Sequence, residues 1–115
     1  MMYIDPIEKA IALNLDAIGA FLRTVKGDSV PAVMFVLFSK CQPNNHSYIR
    51  LGEIARHTGF SMHTVSKAVK KLISANIVAK CEDGDFLINP DVAFIGEQST
   101  EKRHEFSVLS KRLVA

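Results

Sequence analysis

The stretch "GEIARHTGFSMHTVSKAVKKLISANIVAK", Gly52 to Lys80, decides the fold. It holds two short helical patterns with Gly59 between them. In the first, Ile54, Ala55 and the preceding Leu51 fall on one side of a helix, and Gly59 permits the left-handed backbone that ends it. Ser61 then caps a second helix in which Val65, Ala68, Val69, Leu72 and Ile73 form one apolar stripe. His63, Thr64, Ser66, Lys67, Lys70 and Lys71 lie on or beside the opposite face, and Asn76 closes the helix.

Working downstream, "IVAKC" at 77–81 and "FLIN" at 86–89 read as two short strands joined by the acidic turn "EDGD", with Gly84 supplying the turn torsion and Pro90 the stop. "PDVAFIGEQ" reads as a loop. Ser99 or Thr100 caps a last helix over 99–114, where Phe106, Leu109 and Leu113 recur at helical spacing. Upstream, "GDSVPAVMFVLFSKCQPNN" predicts a helix capped by Asp28 or Ser29, with Pro31 in its first turn and "QPNN" as its breaker. Because it is apolar nearly all round, it belongs at the centre. Tyr48 to Arg50 reads as a short extended piece. An N-terminal helix over 5–27 is expected from Asp5 as cap, Pro6 at its first position and the stripe Ile7, Ile11, Leu15, Ile18 and Leu22. The apolar residues Ala12, Leu13, Ala17 and Phe21 lie off that stripe, enough for a second buried face.

With 115 residues, 48% of them hydrophobic, the chain suits one compact domain, 1–115, and is not a disordered segment. Its net charge of +2 conceals an uneven distribution. Residues 61–81 carry four basic side chains and no acidic one, whereas 82–98 carry five acidic and no basic. Cys41 and Cys81 belong to no CxxC pair, and the histidines at 46, 57, 63 and 104 are scattered, so the spacing points to reduced, buried thiols and to no metal or other cofactor. The longest apolar run, Val30 to Phe38, is far too short to span a bilayer, and nothing resembles a signal peptide. A cytoplasmic protein without a membrane partner is the expectation.

Helix, glycine turn, helix and hairpin, in that order over 30–89, resemble the winged helix-turn-helix group. The fold class expected is mainly α with a small β-hairpin, an α+β winged helix-turn-helix with extra N- and C-terminal helices. In that arrangement the polar face of the second helix is free to enter a major groove. Lys67, Lys70 and Lys71 would neutralise phosphates, while Ser61, His63, Thr64 and Ser66 stand at the helix start, where side chains reach base edges. Arg50, Arg56 and His57 would hold the flanking backbone. The wing runs against a simple version of this reading, since Glu82, Asp83 and Asp85 at its tip repel phosphate. It is expected to point away from the duplex or to meet a basic surface, such as the "EKRHEFSVLSKR" helix of a second subunit.

Beyond the wing, "FLINPDVAFIGEQSTEKRHEF" resembles the RepL family of plasmid and phage replication proteins, in which a strand runs into Asn-Pro, an apolar stretch and a Gly before a basic helix. Together with "TGFSMHTVSKAVKKLISANIV", the resemblance covers the last two-thirds of the chain. It implies a winged-helix initiator that binds a plasmid or phage origin in double-stranded DNA and recruits host replication proteins, with Ser61, His63, Thr64, Ser66, Lys67 and Lys70 on the DNA-reading surface and Asn89, Pro90 and Gly96 structural. A transcriptional regulator of the same fold would look much the same, and a protein-interaction module without DNA binding is the rival from another class. Catalysis is not expected. A nicking enzyme needs a tyrosine nucleophile beside a histidine-rich metal site, yet only Tyr3 and Tyr48 are present, no His-x-His pair occurs and there is no phosphate-binding glycine loop. One recognition helix binds weakly at physiological salt, so a homodimer through the terminal helices is the expected form.

Overall fold

The structure, a computed structural model, describes residues 11–95 and 104–109. Its centre is α2 (Ser29–Ser39), which buries Val33, Met34 and Leu37 completely and packs on both α3 (Leu51–Thr58) and α4 (Met62–Ser74). The apolar faces meet there as the periodicity requires. Ile54, Val65 and Leu72 are fully buried, and each such side chain contributes about 1.5–3 kcal/mol relative to exposure. Gly59 ends α3 at φ 80°, a left-handed torsion that β-carbon-bearing residues rarely adopt. Ser61 starts α4 by accepting the Thr64 amide at 3.1 Å.

After α4 the chain turns at Asn76, itself left-handed at φ 61°, into β3 (Val78–Lys80) and β4 (Phe86–Ile88), an antiparallel hairpin whose turn uses Gly84 at φ 89°. A third strand, β2 (His46–Ser47), pairs with the other edge of β4, giving the order β2-β4-β3. The extended piece thus sits two residues earlier than the sequence suggests, because Cys41 and Ser47 bridge across the "QPNN" turn and fix its register. Asn45 stitches this corner together. Fully buried at φ 67°, it donates from Nδ2 to the carbonyls of Ile88 (2.7 Å) and Ala93 (3.0 Å).

The N-terminal region departs from expectation. Residues 11–13 are not helical: they form β1 (Ile11–Leu13), paired antiparallel with β5 (Ala93–Ile95), and α1 is confined to Leu15–Leu22. The switch lies at Asn14. Its side chain caps α1 by accepting the Ala17 amide at 3.1 Å, while its own N–H donates to Val92 O at 2.7 Å and its Nδ2 to Asp91 O at 3.0 Å. These bonds tie the chain before α1 to residues 91–92, so the "PDVAFIGEQ" stretch expected as a loop supplies a strand at Ala93–Ile95. Ile18 and Phe21 face the core, whereas Leu15 is 72% exposed and the proposed stripe is broken. Asp5 and Pro6 lie outside the described residues, as do Ser99 and Thr100. Within the C-terminal helix, 104–109 are helical (α5), with Phe106 buried against Ala79 and Leu87. Helices with small antiparallel sheets make this an α+β fold.

Candidate functional site

Successive residues of a helix are turned by about 100°, which sorts the α4 side chains into two arcs. Val65, Ala68, Val69 and Leu72 occupy the buried arc. His63, Lys67, Lys70 and Lys71 stand in the middle of the other and are exposed, while Thr64 and Ser66 sit at its two edges and are half-buried. No acidic side chain lies between Ser61 and Cys81, so the lysines have no carboxylate partner on their own helix. The α4 face is therefore a cationic strip bordered by short polar groups.

This strip forms one wall of an open groove of about 480 Å³. His63, Lys67 and Lys71 line it from α4, and Lys26, Ser29 and Val30 from the corner between α1 and α2. Three lysines and the first turn of α2 thus converge on one concavity, and helix N-termini present unpaired amides that favour anions. Lys26 and Ser29 were not legible as members of this surface, because only the packing of α2 on α4 brings them to it. Lys70 and Ser66 do not line the groove and face the other side of the strip.

Thr64 also lines the groove, and the remaining expected contacts stand around the helix pair. Ser61 and Thr64 are engaged with each other: the Ser61 hydroxyl accepts the Thr64 amide and donates to the Thr64 hydroxyl at 3.1 Å. Both therefore set the start of α4 before they can meet any ligand. Arg50 precedes α3 and donates from Nη1 to the carbonyl of Asp83 at 2.8 Å, which holds its guanidinium at the hairpin turn. Arg56 and His57, in the last turn of α3, are exposed.

At the hairpin the acids divide. Glu82 and Asp83 are exposed, but Asp85 is only 5% exposed and is engaged by His46, whose Nδ1 lies 2.8 Å from its Oδ2. The other ring nitrogen, Nε2, lies 3.0 Å from Glu105 Oε2 on α5. The helix expected to meet the wing from a second subunit meets it within the same chain, and does so through His46 and an apolar seam, with Phe106 and Leu109 against Ala79 and Leu87. Cys81 adjoins this cluster. Burial first, and then the Asp85, Glu105 and Asp83 carboxylates, push its thiol up to about 12, and burial alone raises Cys41 to about 11. Neither thiol is a nucleophile near neutral pH. Among the described residues no helix is long and apolar enough to cross a membrane.

Fold and site together define an α+β protein that leaves one basic helix face free beside a cationic groove. The family model described as Firmicute plasmid replication protein (RepL) matches residues 13–110, and the chain belongs to that family. The match takes in every described element from the end of β1 to α5. No curated protein and no solved structure matches the chain.

Proposed function

We propose that this plasmid replication protein binds double-stranded DNA sequence-specifically, as a single winged-helix domain with α4 as recognition helix, and acts in replication initiation or its control by binding and not by catalysis. The observation that carries this reading is the α4 face: Lys67, Lys70 and Lys71 exposed together, His63 in line with them, and no acid from Ser61 to Cys81. Lysines so placed neutralise phosphates, and the groove with Lys26 and the first turn of α2 suits a phosphate at its edge. His63 and Ser66 then fall where a helix entering the major groove meets base edges. Arg56 serves the flanking backbone. Ser61 and Thr64 contribute through the position of the helix start as much as by contact, and Arg50 acts by holding the hairpin turn.

A single helix of this kind gives a non-specific Kd of about micromolar or weaker at physiological salt, so binding as a homodimer on two half-sites, through the terminal segments, completes the proposal. The test is binding to duplexes that carry the origin of a plasmid encoding the protein, against random duplexes of equal length. His63→Ala and Ser66→Ala should reduce the preference for the origin while leaving random-sequence affinity within about twofold. Equal loss on both kinds of duplex would remove base reading from α4.

A further inference from the structure

His46, Cys81 and Asp85 come from three different places in the sequence, β2, the residue after β3 and the end of the hairpin turn, yet their ligating atoms lie within 4.8 Å of one another. Nδ1 of His46 is 2.8 Å from Asp85 Oδ2 and 3.8 Å from Cys81 Sγ. Metal–ligand bonds of about 2.0–2.3 Å at tetrahedral angles place neighbouring ligand atoms roughly 3.3–3.7 Å apart. The two separations from His46 fall on either side of that spacing, and the third pair lies within 4.8 Å. We infer that His46, Cys81 and Asp85 form a binding site for a zinc-class divalent transition metal, which fastens the hairpin to β2 and to α5.

Three further features fit this ligand chemistry. A metal-bound imidazole is usually held by a carboxylate on its other ring nitrogen, and Nε2 of His46 meets Glu105 Oε2 at 3.0 Å. The ring is also stacked on Tyr48, with centroids 5.7 Å apart, so its orientation is set from a third direction. Finally, the cluster opens into a pocket of about 560 Å³ that includes Glu82, Asp83 and His104, leaving room for a water molecule in the fourth position and drawing cations by its charge. Sulfur and imidazole ligands select against magnesium and calcium, which take oxygen. Binding displaces the Cys81 thiol proton to solvent, together with any proton that His46 Nδ1 holds against Asp85, so proton release accompanies metal binding. The acidic turn, unsuited to lying along a phosphate backbone, has a cationic ligand in this reading.

The experiment is a titration of tag-free, chelator-treated full-length protein with Co(II) under reducing conditions, read by absorption. One equivalent should bring up a thiolate-to-cobalt charge-transfer band that Zn(II) abolishes and a large excess of Mg(II) does not. Cys81→Ser should lose the band, Cys41→Ser should keep it, and Glu105→Gln should keep it with roughly 10–100-fold weaker affinity. Zn(II) should also raise the thermal midpoint of the wild-type chain, a readout that stands even where a variant fails to fold. No charge-transfer band in the wild-type protein, or a band that survives in Cys81→Ser, would overturn the site and leave His46 as an imidazole held between two carboxylates.

Discussion

Replacing Asn45 with alanine tests whether one buried amide holds the two sheets to each other. The substitution removes both Nδ2 donations, to Ile88 O and Ala93 O, each from a site without exposure to water. Two buried bonds at about 1–1.5 kcal/mol each give roughly 2–3 kcal/mol. Alanine must also adopt φ 67°, which adds about 1–2 kcal/mol. The expected loss is therefore roughly 3–5 kcal/mol, a large part of the 5–15 kcal/mol typical of a domain, and corresponds to a fall in Tm on the order of 10–20 °C. Urea denaturation followed by circular dichroism measures it. Asn45→Gly separates the two terms, since glycine accepts the torsion and loses only the bonds. Ser47→Ala is the control two residues away: the Ser47 hydroxyl is buried with no hydrogen-bond partner among the described residues, so its removal should be neutral or stabilising. The reasoning fails if Asn45→Ala lies within about 0.5 kcal/mol of wild type, or if Ser47→Ala costs as much.

Other outcomes follow from single positions. Gly59→Ala should lower stability by about 1–2 kcal/mol through its torsion alone, because an added β-carbon would meet nothing within 4 Å; a stabilised variant in a thermal melt would contradict the left-handed turn between α3 and α4. In metal-free protein at pH 8, Cys81 should react with iodoacetamide more slowly than an unperturbed thiol by roughly tens of times, since its pKa is raised from 9.0 to about 12 while the thiolate that does form is the stronger nucleophile. Stability should accordingly fall as pH rises from 9 towards 12: there the unfolded thiol has released a proton that the folded one retains. A native chain alkylated at the model-thiol rate would refute the assigned environment.

The helix pair was legible because its signals are local. Val65, Ala68, Val69 and Leu72 recur at one period, Ser61 precedes them by a capping distance, and Gly59 stands where only a left-handed residue closes α3. The β1–β5 pairing was not legible. Ile11 and Leu15 also fit a helical stripe, and the partner strand lies some eighty positions away with no turn between them to announce it. Asn14 could have warned of the helix start, since asparagine favours caps over helix interiors. On the candidate interface, the α4 face was readable from charge and period, whereas Lys26 reaches it only through tertiary packing. The same holds for the bond from Arg50 Nη1 to the Asp83 carbonyl, and for the cluster of His46, Cys81, Asp85 and Glu105, whose spacing matches no metal motif because the fold, not the sequence, makes them neighbours.

The central claim is that α4 meets DNA, and the most direct measurement is a fluorescence-anisotropy titration of duplex DNA at several salt concentrations, with wild-type protein and with Lys67→Ala, Lys70→Ala. The account predicts affinity that falls steeply with salt, and a double variant that binds all sequences more weakly with a log–log salt slope shallower by about 2. Absent binding at low salt, or an unchanged slope in the variant, would contradict it.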